Sequence, residues 1–87
     1  MQIKATPSFL RQANRLFRRN PSTKDHFKAA VDKLARDPFD PSLKTHKLKG
    51  DLKEFWSCSL TFELRLRFKL SDDAVELIDI GTHDEVY

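Results

Sequence analysis

Cysteine is almost missing from this chain. Cys58 stands alone among 87 residues, which excludes an internal disulfide and a zinc site built on thiolates. Long apolar runs are missing as well. Nothing approaches the ~18 consecutive apolar residues that cross a bilayer, and Met1-Gln2-Ile3-Lys4 does not open a basic segment followed by an apolar stretch. A soluble, cytoplasmic protein without membrane contact is therefore expected. His26, His46 and His83 are scattered, with no ligand spacing of the HExxH or CxxC kind, so neither a metal nor a cofactor is expected. Repeats, low-complexity tracts and linkers are absent too, and residues 1–87 read as one domain.

What the chain does have is charge. Sixteen Lys and Arg against 13 Asp and Glu give a net charge of +3 and a pI near 9.2, a bias that favours a polyanionic partner. A domain this small buries about 60 to 65% of its unfolded surface and has little room for a deep pocket. A macromolecular partner or a large substrate follows more naturally than a small ligand.

The hydrophobic period changes once along the chain. A short strand, Gln2–Ala5, is followed by Thr6-Pro7, the residue types of an N-cap and a first helical position. Phe9, Leu10, Ala13, Leu16 and Phe17 then form the stripe of an amphipathic helix. Asn20-Pro21 stops it. Ser22 is expected to cap a second helix, with Asp25 at its third position. Phe27, Ala30, Val31, Leu34 and Ala35 repeat the helical spacing as far as Arg36. The segment 37–42, with two prolines and two aspartates, is an irregular connection.

From Glu54 onward the period is two. Trp56, Cys58 and Leu60 share one strand face, and Phe55, Ser57 and Ser59 the other. Leu64, Leu66, Phe68 and Leu70 alternate with Glu63, Arg65, Arg67 and Lys69, a strand with one core face and one charged face. Ser71-Asp72-Asp73 turns into a last strand, Ala74–Ile80. The order β-α-α-β-β-β predicts an α+β domain in which two antiparallel helices pack on one face of a mainly antiparallel, four-stranded sheet. The other face is expected to be polar.

His46, Glu63, Arg65, His83 and Tyr87 all come from segments that build or border that polar face. Two histidines suit general-base and general-acid work, an arginine suits a phosphate, and an aromatic suits a base. Together they are the parts needed to cleave RNA with its own 2′-hydroxyl as nucleophile. Each has a plainer reading: solvated histidines, a surface Glu63–Arg65 ion pair, and a Tyr87 that packs the terminus down. Cys58 and Trp56 read as core, and His26 as surface.

These residues resemble a known family, the RelE/ParE superfamily of bacterial type II toxins, in particular the YafQ- and YoeB-like ribosome-dependent mRNA interferases. The resemblance rests on the element order, on His46-Lys47-Leu48-Lys49-Gly50 through Phe55-Trp56-Ser57, on Glu63-Leu64-Arg65-Leu66, and on the ending Gly81-Thr82-His83-Asp84-Glu85-Val86-Tyr87. It implies an endoribonuclease acting on mRNA at the ribosome, with His83 protonating the leaving group, His46 or Glu63 as base, Arg65 at the scissile phosphate and Tyr87 as an active-site aromatic. Lys47 and Lys49 match RNA-contacting positions. Lys53, in the same lysine-rich stretch, and Arg67, on the strand face of Arg65, are read as further RNA-binding residues. The family also implies a cognate antitoxin that covers the site. The sequence departs from it at Ser57, Cys58 and Ser59, where YafQ-like members carry Asp and His and YoeB-like members carry paired arginines. A gyrase-binding toxin of the ParE type and a non-catalytic RNA-binding module are the alternatives.

Overall fold

A computed structural model of the protein describes residues 1–52 and 54–82. Strand β1 is Gln2–Ala5 and helix α1 is Pro7–Arg19. Thr6 Oγ1 accepts the Phe9 N–H at 3.0 Å, and Pro7 sits where a missing N–H costs nothing. Helix α2 is Ser22–Arg36, and its start differs from expectation. Pro21 is already helical (φ −58°) and precedes the first turn, so Ser22 lies inside the helix and does not cap it. The Ser22 hydroxyl donates instead to Asn20 Oδ1 at 2.8 Å. With no N–H to satisfy, proline lets the helix begin one residue early.

Phe9 and Ala13 from α1 and Ala30 and Leu34 from α2 face inward, with the rings of Phe9, Phe17 and Phe27 tilted against one another at 5.4 to 5.9 Å. Leu10, expected in the stripe of α1, is 52% exposed. Beneath the helices lies the apolar face of the sheet: Cys58, Leu66, Phe68, Val75, Leu77 and Ile80. Leu43, at the end of a 3-10 turn Pro41–Leu43, anchors the irregular connection to this core. His26 is exposed, as expected.

The remaining strands are β2 (His46–Lys47), β3 (Trp56–Ser59), β4 (Leu64–Leu70) and β5 (Ala74–Thr82). The order across the sheet is β1-β5-β4-β3-β2, with β1 and β5 parallel and every other pair antiparallel. The sheet has five strands, not four. Strand β2 is too short to carry an alternating pattern and exists because the edge of β3 pairs with it, His46 opposite Ser57 and Lys47 opposite Trp56. Strand β5 runs two residues beyond the expected Ile80. It also carries a bulge: Phe68 faces Leu77 and Arg67 faces Asp79, so Ile78 has no opposite number. None of the described helices is long and apolar enough to cross a membrane.

Candidate active site

Cross-strand partners share a face of a sheet, so the register lays the polar face out in rows. The central row runs His46, Ser57, Arg67, Asp79 across four strands. One row toward the β3–β4 hairpin lie Ser59, Arg65 and Gly81. On the other side Lys69, Glu76 and Lys4 form a third row, bordering a hollow of about 250 Å³ lined also by Leu70, Ser71 and Ala74.

His46 is exposed at the sheet edge, and its Nδ1 lies 3.2 Å from the Lys44 carbonyl. A proton on Nδ1 satisfies that carbonyl and leaves the lone pair on Nε2, the tautomer a general base requires. Lys44 holds the carbonyl there from a left-handed conformation, φ 53°. Ser57, next in the row, is fully buried despite its hydroxyl.

Arg65 is turned toward the hairpin. One guanidinium nitrogen reaches the carbonyls of Thr61 (2.9 Å), Phe62 (3.1 Å) and Leu64 (3.2 Å). Its positive charge is thereby held at the hairpin end of the polar face. Glu63 belongs to this hairpin loop and is exposed, whereas the sequence pattern placed it on the strand: pairing in β4 begins only at Leu64. Glu63 and Arg65 therefore do not share a regular strand face.

Arg67 lies in the central row, its side chain 19% exposed. It forms an ion pair with Asp79 and stacks its guanidinium over the Phe55 ring at 4.7 Å, with Lys69 Nζ 5.2 Å from the same ring. Its Nε is buried and has no hydrogen-bond partner among the described residues. Asp79 also accepts from Gln12 Nε2 at 3.1 Å, and Gln12 Oε1 accepts the Ile80 N–H at 3.2 Å. A glutamine of α1 thus completes the edge of β5 beyond the end of β1. Sequence reading missed Gln12 and Asp79, because Asp79 sits in an apolar run and faces Arg67 only through the bulge.

Strand alternation sends Lys47 to the face opposite His46, where its Nζ lies 5.6 Å from the Trp56 ring. Lys49 is exposed beyond the end of β2. Lys53, His83 and Tyr87 lie outside the described residues. Thr82, the last one described, pairs with Leu64, next to both Glu63 and Arg65. Cys58 is fully buried in the core, where burial pushes its thiol up to about 12, against the smaller opposing effects of the Arg65 charge and the Leu66 N–H. It remains a thiol at neutral pH and does not act as a nucleophile. Among the described residues no group of three or more His, Cys, Asp or Glu side chains is arranged to hold a metal.

Two helices on one face of a mainly antiparallel sheet, with a histidine and several cations on the other, form the architecture of RelE-like toxins, and the family model identifies the chain as a type II toxin of the RelE/ParE superfamily. The model of the family described as bacterial toxin of type II toxin-antitoxin system, YafQ, matches residues 1–87, and the chain belongs to that family. Toxin YoeB of Streptomyces coelicolor is 38% identical over 50 residues, which span 58% of this chain and 60% of that protein. The crystal structure of YafQ from E. coli superposes with a TM-score of 0.84 at 18% identity, covering 99% of this chain and 97% of that one, and YafQ in its complex with DinJ gives 0.81 at 18% identity over 99% and 96%. A YoeB/ParE toxin from Agrobacterium tumefaciens gives 0.82 at 24% identity, covering 95% and 99%. At these identities the structural matches establish the fold.

Proposed function

We propose that this toxin is an endoribonuclease that cleaves mRNA on the ribosome and so arrests translation. The observation that carries the reading is that His46 and Arg65 stand on adjacent rows of one sheet face, in a chain of a toxin family. Their strands are separated by β3 alone, about 10 Å at the usual strand spacing. A phosphodiester lying over β3 meets a basic imidazole from one side and a fixed cation from the other.

In the proposed reaction His46 or Glu63 takes the proton of the 2′-hydroxyl, and the O2′ attacks the adjacent phosphorus. The positive charge of Arg65 stabilises the phosphorane, the P–O5′ bond breaks, and His83 gives a proton to O5′. The products are a 2′,3′-cyclic phosphate and a 5′-hydroxyl, reached with side chains alone. Lys69 and Lys4, on either side of Glu76, add cationic groups along the path of the RNA strand, next to the Arg67–Asp79 pair. A cognate antitoxin covers this face in the inactive complex, as expected for a type II system.

The test is to express the protein and map message 5′ ends on ribosomes while assaying gyrase supercoiling in parallel. Ribosome-dependent cleavage that falls about 10²-fold or more in His83→Ala supports the proposal. Inhibited supercoiling with intact message would transfer the protein to the ParE type of toxin.

A further inference from the structure

We propose that Phe62 is a stacking platform for a nucleobase of the message beside the cleaved phosphate, and so helps determine which position is cut; this rests on the endoribonuclease reading above. Phe62 is 94% exposed, far more than Leu10 at 52% or Phe39 at 53%. An aromatic ring so fully in water forgoes the favourable burial that folding offers it. The loop that carries it is nonetheless well tied. The Leu60 and Thr61 N–H groups both donate to the Leu64 carbonyl (2.9 and 3.3 Å), the Leu64 N–H donates to Thr61 Oγ1 (3.1 Å), and Arg65 binds the Thr61 and Phe62 carbonyls. The ring is displayed on backbone already ordered, which removes much of the entropic cost of binding through it.

Its position favours RNA over protein. The Leu64–Thr82 pairing sets the hairpin beside the end of β5, and the Arg65 guanidinium lies under the tip. A cation next to a solvent-facing ring is the pairing that holds single-stranded nucleic acid, phosphate on one and base on the other. Its chain neighbours Thr61 and Glu63 are polar, and no other large exposed hydrophobic among the described residues belongs to this loop. Stacking is tolerant of base identity, because every base has a π-face. Phe62 thus supplies register, and hydrogen bonds elsewhere supply any preference for sequence.

The experiment uses the full chain and ribosomes programmed with a message that carries 2-aminopurine in the exposed codon and a 2′-deoxy sugar at the cleaved position. Wild-type protein is expected to quench the 2-aminopurine fluorescence. Phe62→Ala and Phe62→Leu should lose the quench and weaken binding about 5- to 100-fold, while Phe62→Trp retains both. All three should unfold at the wild-type temperature, since the ring is 94% exposed and is buried against none of the described residues. Wild-type quenching and affinity in Phe62→Ala would overturn the platform. So would a Phe62→Leu variant that binds RNA normally and loses only its antitoxin. Cleavage of the all-ribose message is measured alongside: if wild type cuts it and Phe62→Ala cuts it equally well at the same position, the platform fails and the nuclease reading stands. If wild type does not cut it, the nuclease reading fails, and the platform with it.

Discussion

Arg67 and Asp79 face each other across β4 and β5, and Asp79 is gripped a second time by Gln12 of α1. The pair lies in the middle of the polar face, in the row that His46 begins. Helix α1 and the face opposite it are thereby joined through one carboxylate. Each side chain of the pair is 19% exposed, between a solvated ion pair worth almost nothing and a buried one whose disruption costs several kcal/mol.

Asp79→Ala takes the carboxylate from both Arg67 and Gln12 and leaves the Arg67 guanidinium half-buried, stacked on the Phe55 ring. A stability loss of about 1 to 3 kcal/mol is expected, read as a lower urea midpoint at unchanged slope. Arg67→Met exchanges the guanidinium stack for an apolar contact with Phe55 and leaves Asp79 its Gln12 hydrogen bond, so it should cost less. An Asp79→Ala variant as stable as the wild type would show that the pair contributes nothing to the fold.

Arg65 is committed to loop carbonyls through one nitrogen, which gives its replacement a structural signature besides a catalytic one. Arg65→Ala should raise amide exchange at residues 61–64 about tenfold or more, because three hydrogen bonds that close the hairpin are gone. Arg65→Lys retains the charge but not the fork geometry and should recover only part of the protection. Exchange at wild-type rates in Arg65→Ala would assign the loop's order to the Leu60, Thr61 and Leu64 hydrogen bonds without Arg65.

Much of this architecture was legible because local signals were strong. Thr6-Pro7 marks the start of α1 through the chemistry of a cap and a fixed φ, and Leu64 to Leu70 alternates cleanly enough to assign both faces of β4. The rest depended on pairing. Strand β2 has two residues and no pattern of its own, so neither the fifth strand nor the separation of Lys47 from His46 onto opposite faces could be read. The alternation that identifies β4 also runs one residue too far, which placed Glu63 on the strand. The Arg67–Asp79–Gln12 contact joins positions up to 67 residues apart across a bulge, and nothing in linear sequence marks it.

Cys58 makes stability depend on pH in the alkaline range. In the unfolded chain its thiol ionises near the ordinary value of 9.0, and in the fold only near 12. Above pH 9 the unfolded state has lost a proton that the native state keeps, so stability falls as pH rises; below pH 9 the contribution is complete. The slope should approach ~1.4 kcal/mol per pH unit between those limits. Cys58→Ala should lose stability at pH 7 from the cavity it leaves and show a flatter decline from pH 9 to 11. Parallel curves for the two proteins would mean that the thiol ionises in the fold as easily as out of it. Native protein should also resist thiol reagents that modify it at once in urea.

For the proposed cleavage, His46 and Glu63 differ in how they are held. His46 is fixed at its backbone by pairing with Ser57 and at its ring by the Lys44 carbonyl, and it shares the polar face with Arg65. Glu63 is exposed on the hairpin loop, outside the strand. A base must stand within hydrogen-bond reach of the proton it removes before its basicity matters. His46→Ala is therefore expected to lower kcat about 10²-fold with little change in KM. Glu63→Gln should stay within a few-fold of wild type. Single-turnover cleavage of ribosome-bound message measures both. The reverse pattern, with the large loss in Glu63→Gln and near wild-type cleavage in His46→Ala, would move the proton transfer to the hairpin and leave His46 as an electrostatic neighbour.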